Sequence, residues 1–221
     1  MPPASGKVPE PTLARLSLYL RCLRHLAAEG LQTVSSAAIE ARLNIPSTQV
    51  RKDLSHFGEF GRPGIGYDVQ HLLERLTETM QLDREQRAVI VGAGNLGSAL
   101  LGYGGFANSP FRIVGIFDNN FSKIGRQAWN LEIQDVHRLP ELNKDLGADI
   151  GIVAVPASAA QEAADLLVEA GVRAILNFAP AVINVPKDIA VRDVDVTREM
   201  EILSFHIKRT APPSAEAQDG E

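Results

Sequence analysis

A glycine-rich turn with the spacing of a phosphate-binding loop lies near the middle of the chain. Gly92, Gly94 and Gly97 form the pattern G-x-G-x-x-G directly after the apolar segment 89–91. In such a turn the first glycine permits a tight bend, the second lets the backbone approach a pyrophosphate, and the third lets the following helix pack on the strand. The predicted dinucleotide-binding residues of the turn are Gly92, Ala93, Gly94, Asn95, Leu96 and Gly97.

An acidic residue stands where such a site needs one. The apolar segment 111–117 is predicted as a second strand, and Asp118 ends it, 21 residues after Gly97. A carboxylate there accepts hydrogen bonds from both hydroxyls of the adenosine ribose and repels a 2′-phosphate, so the spacing favours NAD+ and NADH. The alternative interpretation of Asp118 is a turn residue in the run Asp-Asn-Asn.

Alternating strand and helix patterns follow this site. Strands predicted at 149–155, 173–177 and 190–194, with a helix at 159–170, indicate a doubly wound parallel sheet of the Rossmann type. Apolar segments just past two strand ends are predicted to form a dry nicotinamide pocket, which favours the neutral reduced ring because stripping water from an unpaired charge is costly. These further cofactor-binding residues are Val155, Pro156, Asn177, Phe178, Ala179 and Pro180.

About 85 residues precede the glycine turn, and they have the pattern of a small helical domain. Leucines spaced by three and four residues predict an amphipathic helix over 11–29, which Gly30 closes. Two shorter helices follow at 37–43 and 48–56; Ser35 or Ser36 is predicted to cap the first, and Ser47 the second. Two short helices with a tight turn between them make a helix-turn-helix.

The third helix and the segment after it suit DNA. Val50, Leu54 and Phe57 are predicted to face the core, which leaves the polar side chains of this helix on or near its exposed faces. Four glycines among aromatic residues at 58–67 predict a tight β-hairpin, which completes a winged helix. The helix can present side chains to major-groove base edges, and Arg62 can reach a minor groove or a phosphate. The predicted DNA-binding residues are Ser47, Gln49, Arg51, Lys52, Ser55, His56 and Arg62. The alternative is a solvated charged face on a helical bundle.

Composition fits two modest domains. The 221 residues are 45% hydrophobic and 22% charged, which is ordinary globular usage. The net charge is −5. The first 85 residues hold ten basic and ten acidic side chains, so the whole acidic excess belongs to residues 86–221. The chain has no apolar run of membrane-spanning length and no signal sequence, which predicts a cytoplasmic protein. Cys22 is the only cysteine; this excludes an intramolecular disulfide and a cysteine-cluster metal site, and Cys22 is expected in helix packing.

The segment 49–61, QVRKDLSHFGEFG, followed by GIGY at 64–67, resembles the signature of the Rex family, the redox-sensing transcriptional repressors of bacteria. Other segments resemble that family in matching order: LYLR at 18–21, the glycine turn, Val155-Pro156, ILNFAP at 175–180 and Val194-Asp195. The resemblance covers nearly the whole chain.

The resemblance implies a homodimer that binds an inverted-repeat operator and leaves the DNA when NADH rises relative to NAD+. It also implies that a final helix at 196–210 crosses to the other subunit; packing on its own sheet is the alternative. It further implies a polar switch near the nicotinamide, in which Asp195 bonds Arg21 in one state and Tyr103 in another. Val196 departs from the aromatic or leucine side chain expected beside the nicotinamide.

The predicted organisation is thus a winged-helix DNA-binding domain at 11–80, a Rossmann domain at 81–195 and a domain-swapped helix at 196–210, between disordered ends at 1–10 and 211–221. No metal site and no membrane partner are predicted. The segment 127–133 around Trp129 is predicted only as a loop that enters a short strand, with packing as the default role of Trp129.

Two other classes of protein share parts of this pattern. Rossmann domains mostly serve enzymes, so an NAD-dependent dehydrogenase is one alternative. It needs an acid or base near the nicotinamide, whereas three of the histidines lie in the front domain, and His137 and His206 are predicted on helices away from the strand ends. A coenzyme A-binding domain is the other alternative, and Asp118 at the ribose position argues against it.

Overall fold

The computed structural model describes residues 8–58, 60–62, 64–107 and 109–210, and it divides after Arg84 into two compact units. Of the two predicted disordered ends, at 1–10 and 211–221, residues 1–7 and 211–221 lie outside the described residues. Glu10, which the sequence assigned to the disordered N-terminus, already belongs to the first helix. Pro9 and Pro11 explain that start, because proline has the backbone angle of a first helical turn and needs no N–H partner there.

The front unit is a helical bundle with a small antiparallel sheet. In chain order its elements are α1 (Glu10–Ala28), β1 (Thr33–Val34), α2 (Ser36–Leu43), α3 (Ser47–Ser55), β2 (Gly61–Arg62), β3 (Gly66–Asp68) and α4 (Val69–Thr79). The strands lie in the order β1-β3-β2. The pair α2 and α3, followed by the hairpin of β2 and β3, confirms the predicted winged helix. Its core contains the apolar stripe of α1, from Leu16 to Leu26, together with Cys22.

The helix caps of the front unit correct one prediction. Ser35 caps α2 as predicted, because its hydroxyl accepts a hydrogen bond from the backbone N–H of Ala38 over 3.1 Å. Ser47 does not cap α3: it is the first helical residue, and Pro46 occupies the cap position in an extended conformation. The carbonyl of Pro46 accepts from the N–H of Gln49 and Val50, while the N–H of Ser47 donates to the Glu40 carboxylate over 2.9 Å. The proline ring fixes the extended backbone that enters the helix. The helix therefore begins at Ser47, one residue before the predicted start at 48.

The back unit is a sheet of seven strands with helices around it. Its elements are β4 (Gln86–Val91), α5 (Asn95–Leu101), β5 (Phe111–Asp118), β6 (Gln127–Ala128), β7 (Leu131–Asp135), α6 (Leu139–Leu146), β8 (Ile150–Val153), α7 (Ala160–Glu169), β9 (Ala174–Asn177), β10 (Ala190–Asp193) and α8 (Val196–Thr210). The strand order is β10-β9-β8-β4-β5-β7-β6, and all neighbours are parallel except β6 and β7. The predicted doubly wound Rossmann sheet is confirmed, with chain order reversing at β4 and β8.

The strand β4 is buried on both of its faces. Val89 and Val91 belong to one hydrophobic cluster, whereas Ala88 and Ile90 belong to another, because alternate residues of a strand point to opposite faces. Helices therefore have to cover both sides of the sheet, which is typical of parallel sheets. A central strand of this kind gives the turn that follows it a rigid base.

Two features lie at the surface of the back unit. The segment 127–133 forms the hairpin of β6 and β7 rather than a loop that enters one strand, and the ring of Trp129 at its turn lies against Gly102. The helix α8 carries large apolar side chains that are exposed: Val196, Met200, Ile202, Leu203, Phe205 and Ile207. Among the residues that the structure describes, no helix combines the length and apolar character needed to cross a bilayer.

Candidate nucleotide-binding and DNA-binding sites

The glycine turn after β4 is shaped by two glycines that the fold itself requires. Gly92 has φ 108°, and a Cβ there would collide with the carbonyl oxygen of Ala154. A Cβ on Gly97 would collide with the carbonyl oxygen of Gly92. Gly94 differs, because a Cβ there would meet nothing within 4 Å. The outer glycines therefore close the turn, and the middle glycine borders open space.

Asp118 is 6% exposed at the end of β5, and the protein holds its carboxylate in place. Its Oδ2 accepts from the backbone N–H of Ala93 and from the ammonium of Lys123, both over 2.9 Å, and its Oδ1 accepts from the N–H of Asn120 over 2.8 Å. Burial alone would raise the pKa of this carboxyl, but the hydrogen bonds from Lys123, Asn120 and Ala93 outweigh burial and lower it. Asp118 is therefore ionised at neutral pH.

Lys123 was not among the predicted site residues. It lies five residues after Asp118, in the loop that follows β5, and its ammonium pairs with the carboxylate of that residue. The available signal was a lone cation soon after the acidic strand end. This ion pair reduces the net negative charge that Asp118 would present to a ligand at this end of the sheet.

A cavity of about 330 Å³ lies at the switch point between β4 and β8. Gly92, Gly94 and Asp118 line it together with Val155 and Pro156. Asn119, Asn120 and Lys123 add polar groups, and Val136, Ala163 and Leu166 add apolar ones. The structure thus brings the glycine turn, the acidic strand end and one of the two predicted nicotinamide segments to a single cavity. Open α/β sheets bind ligands at this point.

The second predicted nicotinamide segment lines a different cavity. Ala179, Pro180 and the buried Asn177 lie beside a space of about 300 Å³, with Asp193, Val194, Asp195 and Arg198 on its other side. The amide of Asn177 is used by the protein: it donates to the carbonyl of Ala181 and to Asp193, and its oxygen accepts from the N–H of Ala179. Asn177 therefore shapes the loop. Phe178 packs against the core cluster that contains Ile90.

The residues of the predicted switch have the following surroundings. Asp195 is exposed, and its Oδ1 accepts from the N–H of Arg198 over 3.1 Å, which caps α8. Tyr103 is also exposed, and its ring meets that of Phe106 edge-on, with 5.2 Å between the centroids. Arg21 is an exposed residue of α1 in the front unit.

His137 corrects the prediction that no histidine lies near the strand ends. It belongs to a short 3₁₀ turn, Val136–Arg138, directly after β7. The turn begins there because Asp135 ends the strand and its carboxylate accepts from the backbone N–H of His137 over 3.0 Å. His137 is exposed, and it is Val136 that lines the cavity of 330 Å³. Within the described ranges, no three His, Cys, Asp or Glu side chains gather as a metal-binding group.

The predicted DNA-binding residues fall into two groups. Arg51, Lys52, Ser55 and His56 are exposed on or just after α3, whereas Ser47 and Gln49 are half-buried in its first turn. The guanidinium of Arg51 donates to the hydroxyl of Ser36 over 2.9 Å. A groove of about 740 Å³ runs between α3 and the hairpin, and Arg51, Ser36 and Tyr67 are among the residues that line it. The backbone of Arg62 pairs with Gly66 in the hairpin.

Asp53 is the residue of α3 that sequence reasoning missed. It is fully buried, and Arg15 binds both of its oxygens, over 2.6 and 2.9 Å. Tyr19, Thr12 and Gln49 also donate to it, over 2.8, 3.1 and 2.8 Å. Burial alone would raise the pKa of this carboxyl, but these hydrogen bonds outweigh burial and lower it to about 2. The signal available was the polar series of Thr12, Arg15 and Tyr19, which interrupts the apolar side of α1.

A winged helix followed by a Rossmann unit with a dinucleotide-type turn defines a class: DNA-binding proteins that carry a nucleotide sensor. Residues 7–55 match the family model "Putative DNA-binding protein N-terminus", and residues 83–181 match the model "CoA binding domain". The chain is 49% identical over 203 residues to the redox-sensing transcriptional repressor Rex of Carboxydothermus hydrogenoformans, covering 92% of this chain and 98% of that protein. The chain belongs to the Rex family of redox-sensing transcriptional repressors.

Solved structures of RSP, a Rex-family repressor, are similar to this chain over most of its length. RSP in complex with beta-NAD+ and operator DNA is 34% identical with a TM-score of 0.88, covering 93% of this chain and 94% of that one. RSP in complex with beta-NADH is 33% identical with a TM-score of 0.81, covering 93% and 96%. The family is one of regulators, so the dehydrogenase alternative is set aside. The coenzyme A model matches the Rossmann unit and describes its fold.

Proposed function

We propose that this chain is a homodimeric repressor that binds an inverted-repeat operator and leaves it when NADH occupies the Rossmann unit, so that transcription follows the ratio of NADH to NAD+. The observation that supports this function most directly is the cavity lined by Asp118, Gly92 and Gly94, in a chain that also has a winged helix. Support comes from the RSP structures, whose ligands are NAD+, NADH and operator DNA. A repressor of this kind works in the cytoplasm.

The nucleotide site is assigned as follows. The turn from Gly92 to Gly97 receives the pyrophosphate, because the open space beside Gly94 lets backbone N–H groups approach it. Asp118 accepts from the adenosine ribose with the one lone pair that its hydrogen bonds within the protein leave, on Oδ1. Val155 and Pro156 add an apolar wall. Ala179 and Pro180, in the segment that Asn177 shapes and Phe178 anchors, face the nicotinamide end.

The bound nucleotide supplies the signal through the charge of its ring, which is positive in NAD+ and neutral in NADH. Against the wall of Val155, Pro156, Ala179 and Pro180 the charged ring is disfavoured, because these side chains offer its charge no partner. The preference for NADH therefore requires the ring to lie on this wall, away from the carboxylates of Asp193 and Asp195. A hundredfold preference for NADH corresponds to about 2.7 kcal/mol, which desolvation of one charge can supply.

The DNA site comprises the polar face of α3 and the hairpin. Arg51, Lys52, Ser55 and His56 lie at its surface, and Ser47 and Gln49 lie in the first turn of α3, the part of a recognition helix that meets base edges. Arg62 contributes from β2. The DNA-binding domain is the front unit, from the start of α1 to Arg84, and the nucleotide-binding domain begins at Glu85 and ends before α8.

The homodimer is assembled through α8, the swapped helix at 196–210. Val196, Met200 and Leu203 are exposed and spaced by four and three residues, so they form one apolar stripe. Such a stripe is stabilised by burial against a second copy. In the switch, Asp195 exchanges its cap on α8 for a bond to Arg21 or Tyr103.

The test is the fluorescence anisotropy of a labelled inverted-repeat duplex at fixed salt, titrated with the protein and then with NADH or NAD+. We expect specific binding, and release at an NADH concentration far below that of NAD+. A scrambled duplex is the control. Specific binding that ignores both nucleotides would overturn the sensing role, and no specific binding would overturn the repressor.

A further inference from the structure

Gln49 and Asp53 are joined inside the DNA-reading helix. They stand four residues apart, on one face of α3, and the Nε2 of Gln49 donates to Oδ1 of Asp53 over 2.8 Å. Asp53 is fully buried, while Gln49 is half-buried, so the amide spans from the interior to the surface.

The ionised carboxylate of Asp53 dictates which way this amide is turned. A carboxylate is an acceptor only, so Gln49 has to present its NH2 group to it. The opposite orientation would place two oxygens together. Arg15, Tyr19 and Thr12 occupy Asp53 from α1 and keep it in one position. Gln49 therefore offers a ligand its carbonyl Oε1 as an acceptor and its second N–H as a donor, and the positions of these two groups are fixed.

That order of acceptor and donor matches one base edge in the major groove. Adenine offers an N6 amino donor beside an N7 acceptor, and an amide pairs with both. Guanine offers two acceptors, O6 and N7, so the carbonyl oxygen of a fixed amide finds no donor there.

We propose that Gln49 reads an adenine in each operator half-site, and that Asp53 is the positioning residue that fixes the edge of the Gln49 amide. The proposal rests on the proposed function, since it requires that α3 enters the major groove. Asp53 itself touches no base.

The first experiment compares wild type with Gln49→Ala. The probe is an inverted-repeat duplex that the wild-type full-length protein selects from a randomised pool, together with a panel in which each half-site base pair is replaced in turn. We expect wild type to prefer adenine at one position by about tenfold or more, and Gln49→Ala to lose that preference alone. An unchanged profile in Gln49→Ala would overturn the proposal.

The second experiment separates positioning from general stability. Asp53→Asn offers an N–H to Gln49 and lets its amide turn over, so we expect the adenine preference to fall to about threefold or less. Tyr19→Phe is the matched control, because it removes one bond to Asp53 from Oδ2, the oxygen that Gln49 does not touch. We expect Tyr19→Phe to keep the wild-type base profile even where it lowers the melting temperature. Loss of the preference in both variants would assign Asp53 a purely structural role and overturn its positioning role.

Gln49→Glu keeps the reading of the base by residue 49 testable should Asp53→Asn fail to fold. A second carboxylate beside Asp53 accepts only, so it removes the donor half of the edge and shifts the preference towards cytosine, whose N4 donates. A protein that selects no duplex contradicts the proposed function. A protein that binds and is released by NADH, but whose base profile ignores Gln49, contradicts this inference alone.

Discussion

The backbone N–H of Ala93 donates to the carboxylate of Asp118 over 2.9 Å, so one hydrogen bond ties the glycine turn to the acidic end of the neighbouring strand. The two parts of the nucleotide site are thus fixed to each other by the protein itself. Lys123 and Asn120 hold the same carboxylate from the other side. On the proposed function, a ribose meets a group that is already oriented, which lowers the entropic cost of binding.

Asp118→Ala is expected to weaken NADH binding by about ten- to a hundredfold, because hydrogen bonds to a charged group contribute about 1.5–3 kcal/mol. Operator binding without nucleotide should persist, since α3 belongs to the other unit. Calorimetric titration of NADH and duplex anisotropy measure the two effects. Asp149→Ala is the control, because Asp149 pairs with Arg173 before β8 begins. Loss of DNA binding in Asp118→Ala would assign this residue a different role.

Gly94→Ala and Gly97→Ala should separate ligand binding from folding. A Cβ at position 94 meets nothing within 4 Å, so the variant should melt close to wild type, yet bind NADH at least about tenfold more weakly because the methyl group fills the pyrophosphate space. Gly97→Ala should instead lose about 1–3 kcal/mol of stability through its collision with the carbonyl of Gly92. Thermal melts and NADH titrations measure both. Wild-type NADH affinity in Gly94→Ala would contradict the assignment.

The front unit should lose stability in acid through Asp53. The pKa of this carboxyl is lowered from 3.8 to about 2, so its contribution is fully present above pH 3.8 and is lost as the pH falls towards 2. The pH-dependent part amounts to about 2 kcal/mol. Urea unfolding followed by circular dichroism should show Asp53→Asn destabilised at pH 6 and the gap to wild type narrowing by pH 2.5. A gap that stays constant would mean that Asp53 is not ionised in the fold.

Lys52→Ala should lower operator affinity and flatten its salt dependence by about one unit of slope if the side chain meets a phosphate. Arg62→Ala should do the same from the hairpin. Anisotropy titrations at several salt concentrations give the slopes. Lys144→Ala, an exposed lysine of the back unit, is the matched charge control and should leave the slope unchanged. An unaltered slope removes the substituted residue from the phosphate contacts.

If the chain forms the proposed dimer through α8, Leu203→Asp should convert it to a monomer, because the substitution places a charge in the apolar stripe. Light scattering coupled to gel filtration measures the mass, and operator affinity should fall with it because the two half-sites are no longer bound together. Glu201→Lys changes the charge of the same helix away from the stripe and should remain dimeric. A dimeric Leu203→Asp would remove α8 from the interface.

The nucleotide turn could be predicted because its determinants are local. Three glycines and one acid at fixed spacing, each next to an apolar strand, were enough to locate the cavity that Gly92 and Asp118 now line. The Rossmann sheet was predictable for the same reason, since strand and helix patterns alternate along the back half.

Asp53 could not be recognised in this way. In the run of Arg51, Lys52 and Asp53 it is typical of a solvated charged face, and its burial depends on Arg15 and Tyr19, which lie more than thirty residues earlier. Asn177 was similarly assigned to the ligand, although its amide serves Ala179, Ala181 and Asp193. Distant partners decide the burial of Asp53, whereas the bonds of Asn177 depend on how the loop after β9 turns back on that residue.

The burial of Cys22 narrows the kinds of signal to which this chain can respond. The thiol is 5% exposed on α1, and burial, which Glu29 reinforces and Arg42 opposes, raises its pKa. Oxidants react with the thiolate, and no second cysteine exists in the chain to trap an oxidised sulfur. Peroxide should therefore not change the operator binding of the repressor. On the proposed function, operator binding therefore depends on the current concentrations of NADH and NAD+, which compete for one site, and not on earlier oxidation of the protein.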